Sequence, residues 1–182
     1  MPSSTWVMLP TICQKINASK AKSILDIGIG FGKYGFLARE YTDVCARNYK
    51  SETWKVRIDG IEIFPEYITP LHMLIYDNVY VGSAKDMLAK VDNYDLIMFF
   101  DVIEHMNKAD GLVVLNLIKQ KSKQALVSTP MKMAKQGKLY GNEHERHVQQ
   151  WTKKDLEAFG TVIEIKYGKK GRGIYLLEMK NV

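Results

Sequence analysis

The sequence predicts an α/β protein in which helices cover both faces of a doubly wound, mixed sheet of seven strands. Short β-branched and apolar runs alternate with helical stretches, which is the pattern of a parallel sheet covered on both faces. Near the end of the chain, two strand-like runs are joined by the short turn GKKGRG. Because this turn is too short for a crossover helix, the last two strands should form an antiparallel hairpin.

The first half of the chain should supply a helical segment at residues 1–20 and then three strands. The first strand, SILDI, is a short apolar run, and Pro65 marks the start of the helix after the second strand. The predicted strands are Ser23–Ile27, 56–63 and 79–81, and the helices between them are 32–41 and 66–76.

The second half should supply the centre of the sheet and its closing hairpin. The run YDLIMFF is nearly continuous in apolar residues, as expected for a strand buried on both faces. The segment 130–151, which follows the fifth strand, has no obvious helix or strand, and we expect an active-site loop there. The predicted strands are Tyr94–Phe100, 125–128, 162–167 and 174–179, and the helices are Lys108–Lys121 and 153–159.

Length and composition predict one soluble, cytoplasmic domain. The 182 residues are 46% hydrophobic and 25% charged, which suits a single domain with a substantial core. No apolar run approaches the ~20 residues that span a bilayer, so we expect no membrane partner. The start of the sequence lacks a secretory pattern, and the two cysteines have neither metal-type nor disulfide spacing. The net charge of +6 is scattered over predicted helices, so nucleic acid stays open as a partner without being favoured.

A glycine-rich loop follows the first strand in the segment Asp26-Ile27-Gly28-Ile29-Gly30-Phe31-Gly32. Glycines at a strand-to-helix junction allow a sharp turn and a close approach to a ligand, and the helix N-terminus offers free N–H groups. The carboxylate of Asp26 would repel a pyrophosphate but attract an ammonium group. Glu62 ends the next strand, where a carboxylate can accept hydrogen bonds from both hydroxyls of a ribose.

These motifs resemble those of the class I methyltransferases, which use S-adenosylmethionine (SAM). ILDIGIGFG is similar to the glycine-rich first motif of the family, and IDGIEI to its ribose-binding motif. VYVGSAKDM stands where the adenine-binding motif is expected, YDLIMFFDVIEHM resembles the fourth strand with its acidic end, and LVSTP resembles the fifth. The resemblance covers nearly the whole chain in the order of the family, and it implies a Rossmann-like seven-stranded sheet.

The resemblance also implies which residues hold the cofactor. Asp26, Gly28 and Gly30 would hold the methionine part of SAM, and Glu62 its ribose. The remaining cofactor-binding residues would be Ile63 beside the adenine, Ser83 and Ala84 at its edge, and Asp101 at the end of the fourth strand. Members of the family often have an acid in place of Ser83, so Asp86 is an alternative partner for the adenine amino group.

The catalytic groups are expected after the fourth strand. Asp101, Glu104 and His105 have i, i+3, i+4 spacing, which places them on one side of a helical turn. The pattern DVIEH with a later HVQQWT is similar to metal-dependent O-methyltransferases, including those that modify the 3′ end of small RNAs. This resemblance implies that Asp101, Glu104, His105 and His147 bind Mg²⁺ or Mn²⁺. In the metal-free alternatives, Glu104 and His105 only shape the cofactor pocket, or His105 or His147 acts as a general base assisted by Asp101.

We therefore expect a SAM-dependent methyltransferase acting on an oxygen atom of a small or anionic acceptor. The turn that contains Lys169, Lys170 and Arg172 should lie beside the site and attract an anionic group, unless it is only a solvated turn. An RNA 3′-end 2′-O-methyltransferase and a non-catalytic SAM-binding domain are the alternatives. An NAD-dependent oxidoreductase is a third, against which Asp26 argues.

Overall fold

Seven strands form one mixed sheet in the computed structural model, which describes residues 4–167 and 172–180. The strands are Ser23–Ile27 (β1), Arg57–Glu62 (β2), Asn78–Val81 (β3), Tyr94–Phe100 (β4), Ser122–Pro130 (β5), Thr161–Lys166 (β6) and Gly173–Lys180 (β7). Their order in the sheet is β3-β2-β1-β4-β5-β7-β6. Strands β1 to β5 pair in parallel, and β7 is antiparallel to both β5 and β6. The predicted doubly wound, Rossmann-like α/β fold with its C-terminal antiparallel hairpin is confirmed.

Six α-helices cover the two faces of the sheet in the part of the chain described: Leu9–Ser19 (α1), Lys33–Arg39 (α2), Pro70–Ile75 (α3), Ala84–Leu88 (α4), Lys108–Lys121 (α5) and Lys153–Glu157 (α6). Side chains of a strand alternate between faces, so Ile24 packs in the cluster of α1–α3 and Leu25 in that of α4–α6. Each face therefore has its own apolar core.

The structure corrects the helix expected at residues 66–76. Pro65 begins only a 3₁₀ turn, Pro65–Tyr67, and the α-helix starts at Pro70. Proline has no N–H and clashes within a helix interior, so Pro70 can occupy only the first turn. Thr69 caps this helix, and its capping partner is His72. The sequence pattern had merged two short elements into one.

The carboxyl ends of β1 to β5 meet at one edge of the sheet. Strand β7 is antiparallel to β5, and β6 is antiparallel to β7. Strand β6 therefore runs in the same direction as β1 to β5 and also ends at this edge. Four connecting segments therefore lie there together with the start of β7: 28–32, 63–67, 101–106 and 131–150. Among the residues described, no helix has the length and apolar character needed to cross a bilayer.

Candidate active site

A cavity of about 520 Å³ opens at this edge of the sheet. That volume is within the range for small-molecule and cofactor sites. Its walls come from the segments that follow β1, β2, β4 and β5, and from Tyr167 and Ile174 at the near end of the hairpin. In doubly wound sheets, this crevice at the carboxyl ends of the strands is where ligands bind.

The glycine loop after β1 forms one wall. Gly28, Gly30 and Gly32 all have positive φ, at 75°, 50° and 85°, which glycine adopts without strain. A Cβ atom on Gly28 would lie 2.4 Å from Cγ2 of Val102, so the loop also needs glycine for close packing. Gly28 and Gly30 line the cavity, as the sequence predicts.

Glu62 is buried at the end of β2, with 4% of its surface exposed, and lines the cavity. Its Oε2 accepts a hydrogen bond from the N–H of Gly30 at 3.0 Å, and its Oε1 accepts one from the N–H of Phe64 at 3.0 Å. Burial raises the pKa of Glu62, and the two N–H groups counteract part of that rise. Each carboxylate oxygen has two lone pairs, so both can accept a further hydrogen bond from a ligand.

Asp26 lies outside the cavity lining, which differs from the predicted contact with the methionine part. It is 2% exposed, and the hydroxyl of Tyr76 donates to its Oδ2 at 2.7 Å. Burial raises the pKa of Asp26 to about 7. A Cβ atom on Gly35 would lie 2.3 Å from the Tyr76 ring, so this glycine makes the room that Tyr76 needs to reach Asp26.

Ile63 lines the cavity beside Glu62, where the sequence places it. Ser83 and Ala84 do not line the cavity, in contrast to the prediction. Ser83 caps α4, because its Oγ accepts from the N–H of Asp86 at 3.1 Å and donates to the Asp86 carboxylate at 2.7 Å. Ala84 is buried below this cap. The hydroxyl of Ser83 and the carboxylate of Asp86 thus bind each other.

Asp101 follows β4 and lines the cavity, but not on the helical turn that its spacing predicts. Its φ is +53°, and only Ile103–His105 form a 3₁₀ turn. The hydroxyl of Ser128 donates to Oδ1 of Asp101 at 2.7 Å. Burial raises the pKa of Asp101, while this hydrogen bond lowers it. The left-handed residue breaks the helical spacing and leaves Asp101 outside the 3₁₀ turn that contains Glu104 and His105.

Glu104, His105 and His147 form a cluster in which one nitrogen or oxygen atom of each lies within 4.8 Å of the others. Nδ1 of His105 is 3.0 Å from the carbonyl of Arg146, and Nδ1 of His147 is 2.7 Å from that of Ala134. A carbonyl accepts only from a protonated nitrogen, so both rings have their proton on Nδ1 when neutral. Their Nε2 atoms then have a free lone pair for a proton or a cation.

The donor set of this cluster fits a divalent cation. Glu104 is 2% exposed, and its buried Oε2 has no hydrogen-bond partner among the residues described. Burial raises its pKa well above the usual value, and the nearby Asp101 raises it further, whereas burial lowers the pKa of His105. Carboxylate and imidazole ligands suit Mg²⁺ or Mn²⁺, and an Nδ1–H donated to a carbonyl is the usual outer contact of a histidine ligand. Asp101, the fourth residue of the predicted set, lies outside this three-residue group.

The loop of residues 131–150 covers the cavity and is fixed at its end. The N–H groups of Val148 and Gln149 donate to the carbonyl of Glu104 at 2.8 and 3.0 Å. Trp151 is fully buried, and its indole N–H donates to the carbonyl of Ile103 at 3.1 Å. These bonds attach the loop to the 3₁₀ turn that contains Glu104 and His105, and so bring His147 to them.

The loop also contributes cavity residues that the sequence did not single out. Tyr140 and Glu145 of the loop line the cavity, as does Tyr67 from the segment after β2. The one sequence signal for Glu145 is its place in the polar run Asn142–His147, between candidate ligands. Arg172 is exposed at the start of the last strand, and Lys169 and Lys170 lie outside the described residues.

The fold matches solved methyltransferase structures. A SAM-dependent methyltransferase from Archaeoglobus fulgidus superimposes with a TM-score of 0.68 at 16% identity, covering 98% of this chain and 95% of that one. The chain has the fold of the class I methyltransferases. Neither a protein-family model nor a curated protein sequence matches it.

Two further structures of the class I methyltransferase fold are similar to this chain. The N-terminal domain of EvdMO1, crystallised in the presence of S-adenosylhomocysteine (SAH) and D-fucose, has a TM-score of 0.66 at 11% identity and covers 99% of this chain and 85% of its own. The methyltransferase domain of bacterial CtHen1 has a TM-score of 0.57 at 15% identity, over 96% and 98% of the two chains. The chain spans 57% of the length of a longer match, an O-methyltransferase family protein from Burkholderia thailandensis.

Proposed function

We propose that the protein is a SAM-dependent methyltransferase that methylates an oxygen atom of a small or anionic acceptor. The observation that carries this proposal is Glu62, a buried carboxylate at the end of β2 that is hydrogen-bonded to Gly30 of the glycine loop. In a class I methyltransferase fold, this is where a ribose is held. The remaining lone pairs of Glu62 can accept hydrogen bonds from both ribose hydroxyls.

The residues around Glu62 would bind the rest of the cofactor. Ile63 would flank the adenine, and the N–H groups of the glycine loop would hold the methionine part together with Asp101, since all of these line the cavity. Asp26 would support the glycine loop from its inner side, since its carboxylate accepts a hydrogen bond from the hydroxyl of Tyr76. SAM supplies a methyl group on a positively charged sulfur, which is the chemistry that the protein itself lacks.

The histidine pair would take the proton from the acceptor hydroxyl. Nε2 of His105 or His147 is the basic atom, because the carbonyls of Arg146 and Ala134 bind the Nδ1–H groups. Burial lowers the pKa of His105, so this ring is neutral and able to accept a proton at physiological pH. The acceptor oxygen would then take the methyl group that bound SAM supplies, and SAH would leave.

Alternatively, Glu104, His105 and His147 would hold a divalent cation, for which their donor atoms are suited. When bound, Mg²⁺ or Mn²⁺ acts as a Lewis acid and lowers the pKa of the acceptor hydroxyl. The cation would compensate a cavity lining that contains four carboxylates and, among the residues described, one lysine. Any anionic group of the acceptor should therefore lie outside this lining, near Arg172.

An RNA 3′-end 2′-O-methyltransferase is the second candidate function. It is favoured by the Glu104–His105–His147 cluster, whose residues belong to the sequence pattern that resembles these enzymes. A terminal ribose would place its 2′-hydroxyl at the cluster, while its phosphate would lie at the hairpin turn. In this case the same residues bind the cofactor, and only the acceptor differs.

The experiment has two steps. Calorimetry with SAM and SAH tests cofactor binding, and a labelled-methyl transfer assay then compares hydroxylated small molecules, sugar phosphates, and RNA oligonucleotides with 2′-hydroxyl or 2′-deoxy 3′ ends. Transfer to RNA only when the 2′-hydroxyl is present selects the second candidate. Binding without transfer to any acceptor indicates a non-catalytic SAM-binding domain, and no binding of SAM or SAH rejects the proposal.

A further inference from the structure

A third buried carboxylate, Glu145, lies in the cavity wall with no role in the chemistry proposed above. It is 8% exposed and belongs to the 3₁₀ turn Glu143–Glu145 of the cavity-covering loop. The hydroxyl of Tyr67, from the segment that follows β2, donates to its Oε1 at 3.1 Å. This bond joins the loop to the side of the cavity where Glu62 lies.

The hydrogen bonds of this carboxylate leave one oxygen available. Nδ2 of Asn142 lies 3.5 Å from the same Oε1 that Tyr67 contacts. Among the residues described, Oε2 of Glu145 has no hydrogen-bond donor, and a carboxylate can accept about four hydrogen bonds in all. Anchoring the loop needs only one acceptor oxygen, which a neutral glutamine would also provide. A buried charge costs free energy unless it is paired, so a donor from a ligand would explain the acid.

The position of Tyr67 indicates which ligand supplies that donor. The Tyr67 ring packs edge-on against Phe64 at 4.9 Å, and the N–H of Phe64 donates to Oε1 of Glu62. The Tyr67–Glu145 pair is thus connected to the carboxylate that would bind the ribose. Ser83 and Asp86 are the residues expected to accept a hydrogen bond from the adenine amino group. In the structure they bind each other.

We propose that Glu145 is a cofactor-binding residue contributed by the loop, and that its Oε2 accepts a hydrogen bond from a hydroxyl or amino group of the adenosyl part of SAM. This inference rests on the proposed function. Tyr67 is a positioning residue, since its hydroxyl holds Oε1 and leaves Oε2 for the ligand. Ordering of the loop of residues 131–150 and binding of the cofactor are then coupled through the side chain of Glu145.

The test compares SAH affinity by calorimetry in four proteins: the wild type, Glu145→Gln, Tyr67→Phe and Glu143→Gln. Glu143 is the matched control, because it lies on the same 3₁₀ turn, is exposed, pairs with Arg146 and does not line the cavity. Glu145→Gln should weaken SAH binding about ten- to hundredfold, as loss of a charge-assisted hydrogen bond does. Tyr67→Phe should weaken it less, and Glu143→Gln should leave it unchanged. Thermal unfolding of each variant checks that the fold is intact.

The outcomes separate this inference from the proposed function. If the wild type binds SAH and Glu145→Gln binds it as tightly as Glu143→Gln does, the role of Glu145 is overturned while the proposed function stands. A rise in the KM of the acceptor at unchanged SAH affinity would likewise overturn it and assign Glu145 to the acceptor. A wild type that does not bind SAH rejects both.

Discussion

Tyr76 donates a hydrogen bond to Asp26 at 2.7 Å and thereby closes the inner side of the glycine loop. The two residues are 50 positions apart, at the end of β1 and directly after α3. Asp26 is fully buried, so the cost of its negative charge appears as a pKa of about 7 instead of the ordinary 3.8. The loop that would carry the methionine part of SAM is thus supported by a carboxyl group that titrates near neutral pH.

Asp26 should make the stability of the protein pH-dependent. Its folded-state pKa of about 7 is above the unfolded value, so the folded state binds the proton more tightly. The stabilisation is fully present below pH 3.8 and is lost as the pH rises through about 7. Asp26→Asn removes this titration. The Tm of the variant minus the Tm of the wild type should therefore rise from pH 5 to pH 8. Glu52→Gln, at an exposed position, should give a flat difference, and a flat curve for Asp26→Asn would contradict the assignment.

Glu62 should dominate the affinity for the cofactor. Glu62→Ala removes the acceptor of the ribose hydroxyls, and we expect SAM binding to weaken by roughly 1.5–3 kcal/mol, the range for charge-assisted hydrogen bonds. Calorimetry with SAM measures it, with Glu66→Gln as an exposed control on the same connection. Unchanged affinity in Glu62→Ala would remove the ribose assignment.

The Glu104–His105–His147 cluster should respond to divalent cations. Mn²⁺ should raise the Tm of the wild type, because a cation pairs with the buried carboxylate of Glu104. Glu104→Gln and His147→Ala should abolish this shift, and His144→Ala, whose residue lines the cavity outside the cluster, should keep it. With chelator present, Glu104→Gln should gain stability relative to the wild type as the pH rises, since it no longer buries a charge.

Methyl transfer should also stop after chelation and return with Mg²⁺ or Mn²⁺. Full activity after exhaustive chelation, with no metal found by elemental analysis, would leave the histidines as metal-free bases. His147→Ala is expected to lower kcat in both cases, because the proposal uses the same ring as a ligand or as a base.

The hairpin turn should attract an anionic acceptor. Tyr167 and Ile174 line the cavity, and Lys169, Lys170 and Arg172 stand between them in the sequence. Neutralising the three cations together should lower kcat/KM for an anionic acceptor at low ionic strength, and the difference should shrink as salt rises. A variant with unchanged kcat/KM at low salt would show that the turn has no part in acceptor binding. Lys119→Ala with Lys121→Ala, on α5, is the control for loss of positive charge at residues that do not line the cavity.

The parts of this fold that could be predicted are those encoded locally. The apolar run Tyr94–Phe100 can only be a buried strand, and its predicted bounds agree with the structure. The glycine loop and Glu62 are also local signals, since each follows directly from the end of a strand. The helix start at Pro70 was missed because Pro65 offers the same signal five residues earlier, and only packing distinguishes them.

Contacts between distant segments could not be predicted. The hydroxyl of Tyr76 reaches Asp26 only because Gly35 and Gly60 leave space for the ring, and this space exists only once α2 and β2 are packed together. The spacing of Asp101, Glu104 and His105 suggested a single helical turn. The backbone at Asp101 is left-handed, so this residue lies outside the 3₁₀ turn that contains the other two. The pairing of Glu145 with Tyr67 likewise depends on where the loop lies, which no periodicity specifies.

The position of β7 in the sheet has a consequence for the order in which the protein matures during synthesis. Among the described strands β6 pairs with β7 alone, and β7 also pairs with β5, so the strand made last lies between two made earlier. While the ribosome is still adding residues 173–180, β6 has no place in the sheet and the edge of β5 stays open. Tyr167 and Ile174 can complete the cavity only after that strand emerges, so the nascent chain should acquire cofactor affinity late, after release of β7 from the exit tunnel.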